Sequence, residues 1–155
     1  MIVARTPLAV VVRDLDDFKR INDAYGHTIG DKALREMGSR LAQRLADAEI
    51  VARIGGDEFV VVAAGVELAD TPLLLRRIDQ AFTDTSLYID GLIMYATCSL
   101  GLAHEPGLSE GGWLTSARQV EQLLERADRE IYAQKRSRAG VNRLLKPAET
   151  YKGAE

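Results

Sequence analysis

Two acidic clusters hold the residues best suited to chemistry. Asp14, Asp16 and Asp17 follow the apolar run "LAVVV" in "LAVVVRDLDD", and Asp57 and Glu58 precede another in "RIGGDEFVVV". Valines gain by leaving water, whereas ionised carboxylates lose by it unless something pairs with them. If the two apolar runs are neighbouring strands, both clusters meet at one sheet edge, where like charges raise one another's pKa. A divalent cation relieves that conflict. Neither cluster contains His or Cys, and an oxygen-only donor set favours Mg²⁺ over zinc. Mg²⁺ held by one or two carboxylates usually keeps waters and a substrate phosphate, which points to a nucleotide. Spacing alone equally allows solvated strand ends. Gly55-Gly56 leaves a similar choice open, between positive φ in a hairpin turn and room for a bulky ligand near the backbone.

Around these clusters the pattern predicts the elements that position them. Residues 8–12 are short, β-branched and continuously apolar, as in a strand buried on both faces. From Asp16 to Tyr25 the spacing of Phe18, Ile21 and Tyr25 is helical, and "GHTIGD" breaks it. A second helix spans residues 30–46, with Leu34, Met37, Leu41 and Leu45 on one face. "EIVARI" and "EFVVVAAG" are strands joined by a tight hairpin. "LADTPLLLRRIDQAF" is a helix opened by Asp70 or Thr71, with Pro72 in its first turn. "LYIDGLIMYATCSLGLA" holds two strand-like runs around Asp90-Gly91, residues 113–136 form a long amphipathic helix whose stripe includes Tyr132, and "NRLLK" is a last strand. Hairpins mixed with helices predict an α+β fold, a mostly antiparallel five-stranded sheet flanked by helices.

Composition narrows the class. The chain has 155 residues, the size of one domain, and residues 147–155 read as a polar tail. A formal net charge of −3 gives no reason to expect nucleic-acid binding, which usually shows as a basic excess. No run reaches the ~18–20 apolar residues of a membrane span. Cys98 has no second cysteine to pair with and reads as a small core residue. The expected location is the cytoplasm.

"RDLDDFKRINDAYGHTIGD", followed after a helix by "RIGGDEFVVV", resembles the GGDEF domain of diguanylate cyclases. "TCSLGLA" resembles the family's T-x-S-I-G-I-A strand, and "LLERADREIYAQK" its L-x-x-A-D-x-A-L-Y-x-A-K helix. The resemblance implies a single GGDEF domain over residues 1–155, on a fold like that of nucleotidyl cyclases and polymerase palms. It implies two Mg²⁺ ions, with Mn²⁺ as a substitute, held by Asp14, the Leu15 carbonyl, Asp57 and Glu58. Asp57 and Glu58 are the implied catalytic residues, Glu58 as a further ligand or an aid to deprotonating the nucleophile. Backbone N–H groups of Asp17 and Phe18 face the terminal phosphates at a helix start, where the dipole favours anions. Lys19 and Lys135 neutralise phosphate charge, and Gly55 and Gly56 line the substrate. Asn22 and Asp31 match the pair that reads guanine. A carboxylate accepts from guanine N1–H and its exocyclic amine, which adenine does not offer, so GTP is the implied substrate. By residue type alone, Asn22 is equally a helix-end residue, Asp31 a helix cap and Lys135 a solvated basic helix end. Asp16 reads as structural, a cap for the first helix. The implied reaction condenses two GTP into cyclic di-GMP in a homodimer, in a parent chain with sensory or phosphodiesterase domains. The alternative is a non-catalytic GTP-binding module that signals to an attached domain.

Three departures from the family stand out. Its opening D-x-L-T-G-L-x-N-R segment does not precede the first strand here. Its glycine-arginine-asparagine appears as Gly140-Val141-Asn142, without the arginine. Its R-x-x-D product-inhibition motif has Ala46 and Glu49 in register, while "RLAD" at residues 44–47 lies two residues early. A two-residue shift re-aims the side chains. The expected outcome of a calorimetric titration with cyclic di-GMP is therefore no tight site, and no change on Arg44→Ala; tight binding that Arg44→Ala abolishes would refute this.

Overall fold

The computed structural model describes residues 5–47, 49–83, 86–95, 97–107 and 113–141. In chain order the elements are β1 (Leu8–Leu15), α1 (Phe18–Tyr25), α2 (His27–Gln43), β2 (Glu49–Arg53), β3 (Glu58–Ala64), α3 (Thr71–Thr83), β4 (Leu87–Ile89), β5 (Leu92–Met94), β6 (Cys98–Glu105) and α4 (Trp113–Val141). The strands β2-β3-β1-β6 form one antiparallel sheet, and β4-β5 form a separate hairpin.

The period of two along β1 sorts its residues between two cores. Ala9, Val11 and Leu15 face α2, α3 and the β4–β5 hairpin, together with Phe59, Val61 and Ala63 of β3. Leu8, Val10 and Val12 face the other way, with Val60, onto Leu123, Ala127 and Ile131 of α4. Arg13 belongs to the first face. Its guanidinium is buried, 3.0 Å from Asp79 and 4.5 Å from the centre of the Phe82 ring, so it ties α3 to the sheet. Cys98 is buried as a core residue, and burial pushes its thiol up to about 12.

Several expectations are corrected. Among the described residues the central sheet has four strands rather than five; "NRLLK" lies outside the described residues. The segment expected to hold two strands holds three, because Asp90 and Gly91 (φ 49° and 82°) close a two-residue hairpin before β6 begins. Gly26 alone (φ 85°) breaks the first helical pattern, so α2 starts at His27 rather than residue 30. β1 runs to Leu15, past the onset of charge, because both neighbours pair with it that far. Tyr132 is 65% exposed and lies off the buried stripe of α4. No helix among the described residues is long and apolar enough to cross a membrane.

α4 lies directly on β6 at Gly101. A Cβ there would fall on the carbonyl oxygen of Ala127 and press the Ile131 side chain. Gly56, by contrast, faces open space. Gly101→Ala should lower the unfolding free energy by about 1–3 kcal/mol, whereas Gly56→Ala should stay within about 0.5 kcal/mol of the parent; urea midpoints of both variants check this.

Candidate active site

The even-numbered face of β1 carries Asp14 next in line after Val10 and Val12, and β3 carries Glu58 in line with Val60 and Val62. The β1–β3 register sets Asp14 directly opposite Glu58, beneath the C-terminal half of α4. The link between β2 and β3 is pinned to the same corner: Leu15 N–H donates to the Asp57 carbonyl at 3.1 Å, and Ile54 N–H to the Glu58 carbonyl at 3.0 Å.

Two side chains of α4 meet these carboxylates. Lys135 Nζ lies 2.8 Å from Asp14 Oδ2. Asp128 is hydrogen-bonded to Glu58. Burial raises the pKa of Asp14, and the charges of Asp57 and Asp16 add to it against the opposing hydrogen bond and charge of Lys135. Burial also raises Glu58, from 4.5 to about 7; protonated Glu58 donates to Asp128, and the charges of Asp128, Asp14 and Asp57 push the same way. Burial pulls the Lys135 ammonium down, but the hydrogen bond and charge of Asp14, with Asp16 and Asp57 beyond, leave it raised. The sequence reading gave Asp128 no role. Its signal was its place seven residues before Lys135, two helical turns away on the same face.

This donor set fits a hard cation. Asp14 Oδ1 is buried without a hydrogen-bond partner, and its neighbours are oxygen donors that repel one another. Among the described residues no three His, Cys, Asp or Glu side chains form a ready-made cage. A cation here would complete its shell with water and ligand oxygens, as Mg²⁺ does.

The entry to α1 is held by Asp16. Its carboxylate accepts the Thr97 hydroxyl at 2.9 Å and the Ser99 hydroxyl at 2.6 Å, and its N–H donates to the Thr97 carbonyl at 2.9 Å. Asp16 is therefore structural as expected, but it ties β1 to β6 instead of capping a helix. Asp17 occupies the cap position in the left-handed region (φ 56°), with no side-chain cap bond. Asp17 and Lys19 are exposed, and Phe18 is half-buried. Asn22 lies against Gly30 of α2, its Oδ1 buried and unpartnered, and Asp31 is the next residue, exposed in the second turn. Asp31 sits inside α2 and is no cap. Gly55 and Gly56 are exposed, and neither has positive φ, so turn strain is not what selects glycine there.

Glu49, the residue in register with the motif aspartate, is committed elsewhere. Its side chain is 4% exposed, paired through both oxygens with Arg77, and it accepts the Ala46 N–H at 2.8 Å.

Comparisons with known proteins agree with this architecture. The family model described as "Diguanylate cyclase, GGDEF domain" matches residues 2–141. The chain belongs to the GGDEF domain family. It is 38% identical over 137 residues to the diguanylate cyclase DgcP of Pseudomonas aeruginosa, covering 88% of this chain and 19% of that protein. It is 35% identical over 128 residues to the cyclic di-GMP phosphodiesterase NbdA of the same organism, covering 83% of this chain and 15% of NbdA. Among solved structures, a sensory box/GGDEF family protein from Caulobacter crescentus superposes with a TM-score of 0.71 at 33% identity, over 85% of this chain and 80% of the other. The chain thus spans about a fifth of the length of DgcP.

Glu58 generates a pH signature. Its folded pKa lies above its unfolded value, so its stabilising contribution is full below about 4.5 and is lost as pH rises through about 7. Glu58→Gln should flatten the decline in urea midpoint between those two pH values, measured in metal-free buffer. A slope identical to the parent's would contradict the assignment.

Proposed function

We propose that this domain is a diguanylate cyclase. Two GTP molecules, one on each domain of a homodimer, are joined into cyclic di-GMP with release of two pyrophosphates. The observation that carries the reading is the in-register pairing of Asp14 with Glu58 under Lys135, with an unpartnered Asp14 oxygen at the centre.

Each ribose 3′-oxygen attacks the α-phosphorus of the facing GTP. A P–O bond forms, the bond to pyrophosphate breaks, and the hydroxyl proton leaves. Glu58, across the strand pair from Asp14, accepts that proton. Mg²⁺ ions held by Asp14, the Leu15 carbonyl, Asp57 and Glu58 would acidify the hydroxyl and neutralise phosphate charge. The N–H groups at the start of α1, with Lys19, receive the terminal phosphates, and Lys135 adds positive charge from α4. Gly55 and Gly56, free of positive φ, keep the hairpin low enough for the nucleotide to lie over it. Asn22 holds a buried acceptor ready for a donor on guanine, and Asp31 beside it accepts from N1–H and the amine. A side-chain nucleophile is unnecessary; positioning and electrostatics supply the rate.

The domain fused to a dimerising coiled coil, incubated with GTP and Mg²⁺, should yield cyclic di-GMP and pyrophosphate in a ratio of one to two, by chromatography and mass spectrometry. Asp57→Asn should cut the rate by roughly 100-fold or more. GTP binding without turnover in the dimer would favour the regulatory module instead, and no nucleotide binding would leave only the fold.

A further inference from the structure

The outer edge of β6 is closed by a row of side chains from α4. Leu100 N–H donates to Gln134 Oε1 at 3.1 Å, Leu102 N–H donates to Glu130 Oε2 at 3.1 Å, and the His104 carbonyl accepts from Arg126 Nη2 at 3.2 Å. The backbone groups come from every second residue of β6, the outermost strand among the described residues, on the side away from β1. The side chains come from every fourth residue of the helix. The two periods match, since two strand residues advance ~6.6 Å and four helix residues ~6.0 Å. Glu130 and Gln134 also stand where the family's helix pattern carries alanine, which could accept neither hydrogen bond.

The row has a consequence for the site. Lys135 directly follows Gln134. Asp14 pairs across the sheet with Ser99, the residue before Leu100. The axial register of α4 on β6 therefore decides whether the ammonium meets the carboxylate. We infer that Glu130 and Gln134 are positioning residues, which lock that register and so seat Lys135 on Asp14. This rests on the reading of the site as a GTP site. Both side chains are on the exposed flank of α4, so their replacement spares the apolar contact of Leu123, Ala127 and Ile131.

The test compares two double variants of the full chain. Glu130→Leu/Gln134→Leu removes both acceptors. Glu130→Gln/Gln134→Glu exchanges them and keeps both acceptors and the net charge. Amide hydrogen exchange should quicken at Leu100 and Leu102 in the first and match the parent in the second. GTP should bind about tenfold more weakly to the first, the scale of one lost charge-assisted contact, and normally to the second. Adding Lys135→Met to the first should cost no further affinity, because the ladder acts through that lysine. Additive losses would overturn the positioning role and reduce the row to edge protection. Unprotected Leu100 and Leu102 amides in the parent would overturn the ladder whatever the nucleotide result. A parent chain without GTP affinity, its amides protected, would overturn the reading of the site and with it any positioning role.

Discussion

The antiparallel register of β1 on β3 places the carboxyl groups of Asp14 and Glu58 side by side, and this unfavourable pairing governs the rest of the site. Cross-strand neighbours lie only about 5 Å apart at Cβ, and like charges there are destabilising. The valines behind them make the arrangement tolerable. Val10, Val12 and Val60 are buried under α4, and one extra residue in either strand would turn that strand's carboxylate to the other face. Apolar burial thus holds the acids in a place they would not choose. Their remaining demand for positive charge is met in part by Lys135 and left open at Asp14 Oδ1.

α4 answers that demand from above while its apolar stripe covers one face of the sheet. It brings an ammonium to Asp14 and a second carboxyl, Asp128, to Glu58. Gly101 brings its backbone onto the strand. The helix can serve both purposes because apolar, charged and edge-capping residues fall on adjacent stripes at a period near 3.6. Arg13, one residue from Asp14 and on the opposite face of β1, fastens α3 through Asp79. Both layers are therefore anchored within a few residues of the acidic corner.

Much of this was legible in the chain. Continuous or alternating apolar runs located β1, the β2–β3 hairpin and α3, because burial on a sheet or helix imposes its period on residue type. The acidic tips stood out because charge directly adjoined valine runs. The boundaries were less visible. β1 continues through Arg13 and Asp14 since hydrogen bonds to two neighbours, rather than hydrophobicity, extend it. The separate β4–β5 hairpin was merged with β6 because three short apolar runs in succession look like two. Tyr132 fits a helical stripe by spacing yet faces outward, as only the packing partner decides which stripe is buried. The partner of Asp128 was not legible either, since only the fold brings Glu58 beneath it.

Residue order alone settled the types of element, the two acidic tips and the resemblance that ties them to one family, since all three are written in local period and motif spacing. What it could not settle was distance across the chain. Asp14 and Glu58 are 44 positions apart, and Asp14 and Lys135 are 121 apart. Their meeting depends on strand register and on how α4 lies along β6. Those are properties of packed surfaces, in which each contact exists only once every other element is in place.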